Sequence, residues 1–213
     1  MAVDVHEKER RRTDIETRVH VSPETLVAEL GDLRGVDWPA VWKGPPPGGS
    51  PAFHEWCAVY GWEPLEVEAD LEVRTRHGNS IYFRSRGRWR PVVSLGLSLF
   101  RVRTGIAEEK GAVVEASDSR WPVYVEAVSS VLGGFAGAGL AGEPGFPSPP
   151  VDGLWKVPTS PQDNPRRVAY WVAEGEQAPI VVLEQGVSLL TWQERWGAGS
   201  NVSLDLLHPR EGR

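Results

Sequence analysis

Between Pro64 and Arg76 the chain alternates without a break: Leu65, Val67, Ala69, Leu71, Val73 and Thr75 take one set of positions, and Glu66, Glu68, Asp70, Glu72, Arg74 and Arg76 the other. Successive side chains of a strand point to opposite faces, so the pattern predicts a β-strand buried on one side and solvated on the other. Such a face must be covered, which commits this part of the chain to a packed sheet. Residues 77–80, HGNS, predict a turn. SIYFRSRGRW then predicts a second strand, and RPVVSLGLSLFRVR a third that Pro91 offsets at its start. Antiparallel pairing of the three is the economical arrangement.

The same region carries a charge anomaly. From Arg74 to Arg103 there are eight arginines and no acid, in a chain whose net charge is -6, so about -14 falls on the remainder. Arg84, Arg86, Arg88 and Arg90 occupy every second position. A strand through them would project all four from one face, with Ile81, Phe83 and Trp89 pointing into a core. Together with Arg74, Arg76, Arg101, Arg103 and Tyr82 they form the candidate partner-binding surface. The competing expectation is internal neutralisation by Glu66, Glu68, Asp70 and Glu72, since opposite charges directly opposed in a sheet contribute roughly 0.2–1 kcal/mol each.

Before this region the pattern is helical. Residues 1–12 are mostly charged and predict a disordered or frayed terminus, in which Glu7 and Glu9 interrupt the basic Arg10–Arg12 run. A short extended piece at Thr17–Val21 precedes a helix with Ser22 as N-cap, Pro23 at its first position and Glu24 in its first turn, ending near Gly35. Residues 37–42, DWPAVW, predict a helical turn. A Pro-rich connector follows at 43–51, and then a helix from Pro51 to a Gly61 cap. Residues 13–61 thus form a small helical N-terminal layer, and 62–213 the sheet domain.

After the third strand a helix is expected to begin at Ser117 or Asp118 and run to Leu132. Residues 133–153 predict a long flexible loop. Its Gly137-Ala-Gly139-Leu-Ala-Gly142 run formally matches a dinucleotide fingerprint but follows a helix and meets Pro144, whereas the motif needs a strand before it and a helix after it. RRVAYWVAEG, APIVVLEQG, VSLLTWQERWG and NVSLDLL predict a C-terminal meander that joins the first strands or packs beside them. The fold class is therefore α+β: an antiparallel sheet of about six to seven strands with helices on one face.

Little chemistry is written in the residues. The five histidines are scattered, and no cluster has zinc-site spacing. His54 and Cys57, three apart on a helix, are within reach of one another but lack a third group, and Cys57 sits on the apolar stripe. The acids Glu66 to Glu72 form a line, which does not cage a cation. No catalytic constellation, metal or cofactor is expected. The ten tryptophans predict large packing anchors rather than a dedicated groove. One cysteine, no long apolar run and no signal-peptide pattern point to a cytoplasmic protein without a membrane span.

AFHEWCAVYGWEPL, the strands after it, VYVEAVSSVLGGF leading to AGEP, RRVAYWVAEG, GVSLLTW and NVSLDLL together resemble a group of uncharacterised actinobacterial domains encoded near secreted toxins, which look like immunity proteins. The resemblance covers about two thirds of the chain and implies a small α+β fold that binds another protein, a toxin domain. The expectation is a non-catalytic protein-binding domain that neutralises its partner through a charged strand face. A nucleic-acid-binding module using the Arg74–Arg103 stripe, with Tyr82 or Trp89 stacking on bases, is the alternative.

Overall fold

The structure is a computed structural model that describes residues 15–66, 71–87, 89–152, 154–160, 163–175, 177–188 and 197–210. Three short helices open it: α1 (Pro23–Leu33), α2 (Trp38–Lys43) and α3 (Pro51–Val59). α1 starts as the sequence predicts, on the Ser22 cap followed by Pro23, and α3 at the predicted Pro51; all three helices carry a side-chain cap with proline in the first two positions. Ser22 Oγ accepts from Thr25 N at 3.2 Å, Asp37 Oδ1 from Ala40 N at 3.1 Å, and Ser50 Oγ from Phe53 N at 3.2 Å. Those caps satisfy amide donors that no helical carbonyl can reach.

The strands are β1 (Glu16–Val19), β2 (Glu63–Glu66), β3 (Leu71–Arg74), β4 (Ser80–Ser85), β5 (Val92–Arg103), β6 (Gly137–Leu140), β7 (Arg167–Val172), β8 (Ile180–Ser188) and β9 (Gly199–Leu207). They form one antiparallel sheet in the order β2-β3-β4-β5-β9-β8-β7-β6, with β1 lying beside the far half of β5. The β5–β9 pair joins the two predicted strand groups. Nine strands replace the expected six to seven, for identifiable reasons. The alternating run at 64–76 is two strands, with Glu63 opposite Arg74 and Pro64 opposite Val73. Period two reads the same on both arms of a hairpin, so alternation alone does not reveal the reversal.

β4 stops at Ser85, short of the predicted Trp89. The backbone turns away there: Ser85 Oγ donates to Gly87 O at 2.6 Å and accepts from Trp89 N at 3.0 Å, and Trp89 holds a φ of 88°. β5 contains one extra residue. Ser98 faces Ser203 and Phe100 faces Val202, leaving Leu99 as a bulge. Before it Leu95 and Leu97 point at the helices, and after it Phe100 and Val102 do, so Arg101 and Arg103 emerge on the opposite, outer face.

The helix side of the sheet carries the main core, in which Leu26, Trp42, Phe53, Phe83, Leu97 and Leu204 belong to one buried cluster. The N-terminal helices therefore share the core of the sheet. Its long cover is α4 (Lys110–Leu132), which begins seven residues before the predicted cap at Ser117. Ser117 and Asp118 are engaged elsewhere: Ser200 Oγ lies 2.9 Å from Ser117 Oγ, and Asp118 accepts from Arg166 and Gln185. Farther along, Tyr124 is buried and its hydroxyl reaches Val21 O at 2.8 Å and Leu99 O at 3.3 Å, tying α4 to the bulge. Among the described residues no helix is long and apolar enough to cross a membrane.

Among the described residues the outer face is covered at one end only. Much of the segment expected as a flexible loop at 133–153 instead lies on β7 and β8 as a strap: Phe146 and Val151 pack there with Leu154 and Trp155, which are buried against Val168, Val182 and Leu207. The glycine run inside that loop is β6. A Cβ on Gly139 would stand 2.7 Å from Pro147 Cδ and 2.9 Å from Phe146 Cα, so the glycines let the strap lie directly on an edge strand.

Two carboxylates, one buried and one half-buried, fasten the layers. Glu29 of α1, 2 % exposed, accepts from Asn79 Nδ2 at 2.7 Å and from the Thr75 hydroxyl, which pins the β3–β4 turn to the helix. Glu29→Ala leaves two buried donors without an acceptor and is expected to cost about 2–4 kcal/mol, read as a lower urea midpoint with an unchanged slope. Asp118 makes the second fastening. Burial pushes its carboxyl up, but hydrogen bonds from Arg166 and Gln185 and the charges of Arg167 and Arg166 outweigh burial and hold it below the ordinary 3.8. A depressed folded value means that this stabilisation is fully present above 3.8 and is lost as pH falls through the lower folded value. Asp118→Asn is expected to lower stability at neutral pH and to flatten the acid limb of stability against pH.

Candidate functional site

The structure distributes the arginines over several surfaces. Arg84 alone of the proposed stripe lies in a strand; Arg86 and Arg90 sit in the 86–91 turn, and Arg88 lies outside the described residues. The single-faced stripe predicted from spacing is therefore not formed, because Ser85 and Trp89 turn the chain before the second of its four positions. Several arginines meet carboxylates of their own chain, and of the predicted acids only Glu72 has a described side chain. Arg74 pairs with Glu63 at 3.3 Å, Arg76 with Asp32 of α1, Arg84 with Asp205 at 3.8 Å, and Arg103 with Glu16 at 2.6 Å. Glu72 instead hydrogen-bonds the hydroxyl of Tyr82, its cross-strand neighbour. Glu68 and Asp70 lie outside the described residues.

Register assembles a different surface. Tyr82, Gly96 and Asp205 share one row across the outer face of β4, β5 and β9. Arg18, Arg101 and Asn201 share another across β1, β5 and β9. The bulge at Leu99 places both rows on the side away from the helices. Tyr82 is 46 % exposed, and its phenol is pushed up by partial burial and by Glu72. Beyond the strap this half of the face has a low floor of Ser94, Gly96, Ser98 and Ser203, from which Arg84, Arg101 and Tyr82 rise.

At its corner, Glu16, Arg18, His20, Arg101 and Arg103 line a recess of about 80 Å³. Arg18 and Arg101 are directly opposed on adjacent strands, an arrangement that like charges disfavour. Their positive field is felt by His20, whose imidazole is held below 6.5 by partial burial and then by Arg18 and Arg101. Glu16 is the one carboxylate lining the recess, and Arg103 already engages its Oε2 through both Nε and a terminal nitrogen. Arg18 escaped the sequence reading altogether. Its alternation with Glu16 is only four residues long, and nothing local indicates that those residues lie beside Arg101, more than eighty positions on.

No reactive pair forms at α3. Cys57 is fully buried, whereas His54 is exposed with its ring edge-on to Phe53. Burial pushes the Cys57 thiol up to about 12, the reverse of what a nucleophilic cysteine needs. Among the described residues no group of three or more His, Cys, Asp or Glu side chains is placed to hold a metal ion. In comparisons with known proteins, no family model matches the chain, nor does any curated protein or solved structure.

The thiol supplies a test of the core around α3. A raised folded value favours the native state below the unfolded thiol's ordinary 9.0 and loses that contribution as pH rises from there toward about 12. Labelling of Cys57 with a chromogenic disulfide is expected to remain slow in native protein at pH 8 and to become stoichiometric in denaturant. Fast native labelling would contradict this packing.

Proposed function

We propose that this chain is a non-catalytic protein-binding domain that holds an acidic surface of another protein on the outer face of its sheet. The resemblance to immunity-like domains makes that partner a toxin domain, which the chain would antagonise. The observation that carries the reading is the opposed pair Arg18 and Arg101 on an exposed strand face of a chain whose net charge is -6. Positive groups concentrated on one uncovered face of an anionic body steer an acidic partner and repel other acidic proteins. Tyr82, standing on the same face, supplies an aromatic anchor of the kind that dominates binding energies.

A nucleic-acid module is less well supported. Backbone binding needs several cations aligned along a polyanion. Here Arg74, Arg76, Arg84 and Arg103 each have a carboxylate of the chain within 4 Å, and Arg76 is tied to α1.

The experiment is retention on the immobilised chain of toxin domains expressed from genes neighbouring its own, each assayed for growth inhibition with and without co-expression. Wild type is expected to bind and relieve inhibition. Arg101→Glu, which faces Arg18 and so gains an ion pair within the chain, is expected to weaken binding about tenfold or more while leaving the unfolding midpoint near wild type. Full protection by that variant would remove the arginine face from the reading. Tight binding of oligonucleotides that falls steeply with salt would favour the nucleic-acid alternative.

A further inference from the structure

We propose that the chain forms a two-fold symmetric dimer by pairing the open edge of β1 with the same edge of a second copy, antiparallel and centred on Thr17. This inference shares Arg18 with the partner reading above but does not require that reading.

The first observation is an open edge. The His20 amide donates to Leu99 O, and Arg18 and Glu16 continue that register opposite Arg101 and Arg103. Backbone groups of alternate residues point to opposite neighbours in an antiparallel sheet, so the N–H and C=O groups of Glu16 and Arg18 face β5. Those of Ile15, Thr17 and Val19 then face away from the sheet. All four residues of β1 are exposed, and Val19 is 48 % exposed. A strand of this kind, whose outward backbone groups have no partner among the described residues and which carries an exposed apolar side chain, is a template for another strand.

The second observation identifies the occupant. The five residues Ile15-Glu16-Thr17-Arg18-Val19 read apolar, acidic, hydroxyl, basic, apolar. Turned antiparallel on itself about Thr17, this sequence sets Ile15 against Val19, Glu16 against Arg18, and Thr17 against Thr17. Every facing pair is then a favourable one: apolar with apolar, acid with base, hydroxyl with hydroxyl. A two-fold interface requires such self-complementarity. The outward-facing backbone groups fall on Ile15, Thr17 and Val19, the positions this register makes hydrogen-bonded pairs. Glu16 and Arg18 fall on the closer, non-hydrogen-bonded pairs, where side chains meet best.

The electrostatics of the single chain agree. Arg18 stands opposite Arg101 and forms no ion pair among the described residues, while Glu16 presents Oε2 to Arg103 and retains Oε1. In the dimer each Glu16 lies between Arg103 of its own chain and Arg18 of the second copy. The like-charged pair thereby gains a carboxylate, and the two outer faces become one continuous surface.

Sedimentation equilibrium of the full chain from micromolar to hundreds of micromolar concentrations is expected to show a reversible monomer–dimer equilibrium. Thr17→Pro removes an amide that faces the open edge and none that faces β5, so it should abolish the dimer without shifting the unfolding midpoint of the monomer. Arg18→Glu sets acid against acid and should raise the dimer Kd about tenfold or more, and adding Glu16→Arg should recover most of the loss. A chain that stays monomeric throughout the range overturns the proposal. So does a dimer that persists in Thr17→Pro, or one indifferent to the charge swap. Partner binding by monomeric Thr17→Pro separates this proposal from the protein-binding reading, which survives the loss of the dimer.

Discussion

The single extra residue at Leu99 decides which side of the sheet becomes a surface. β5 reads Leu95-Gly-Leu97-Ser-Leu99-Phe100-Arg101-Val102-Arg103, and strict alternation from Leu95 would send Arg101 and Arg103 toward the helices. Two guanidinium groups in that apolar layer would carry a large desolvation cost. The bulge moves the pattern by one position, so Phe100 and Val102 enter the core and the arginines leave it. It is held from three directions, because the Leu99 carbonyl accepts from the amides of His20 and Val21 and lies within reach of the buried Tyr124 hydroxyl. The neighbour of β5 also changes at this point, from β4 to β1.

The charged groups divide into those that fasten the fold and those that remain available. Glu29 is withdrawn from water and Asp118 is half-buried, and each accepts several donors, so removing either leaves polar hydrogens without their acceptor. Pairs such as Arg74 with Glu63 are solvated and contribute little to stability. What distinguishes the β1–β5 corner is the opposite condition, a local excess of positive charge with one carboxylate among four cationic or titratable neighbours. An excess that the chain does not neutralise internally is most readily relieved by something outside it. Both the acidic partner and the second copy of the chain rest on that principle, and both draw on Arg18.

Covering only half of the outer face is what leaves room for this. The strap over β7 and β8 is apolar at Leu154 and Trp155 and sits on a strand reduced to glycines at Gly137 and Gly139. The other half has small polar residues at Ser94, Gly96, Ser98 and Ser203, which give a strap nothing to bury. An antiparallel sheet tolerates one wet face, so the fold is complete without a second helical layer.

Much of the local structure was legible in the residues. Ser22-Pro23, Asp37-Trp38-Pro39 and Ser50-Pro51 mark three helix starts because capping and proline chemistry act within four positions. The α+β class followed from the change of period after Trp62, and Ile81 and Phe83 were correctly placed inside. The long helix and the glycine-rich segment were misread for a common reason. Ser117 and Asp118 look like a cap, and Gly137 to Gly142 look like a loop, until their partners Ser200, Arg166, Phe146 and Pro147 are brought across the chain. The sequence by itself thus determined the α+β class, the helix starts at Ser22-Pro23 and Pro51, and a basic segment within an acidic chain. Tertiary structure alone decided which arginines meet carboxylates, which side they occupy, and that Arg18 stands against Arg101. Those outcomes depend on register, and a shift of one residue, invisible in composition or period, exchanges the faces of a strand.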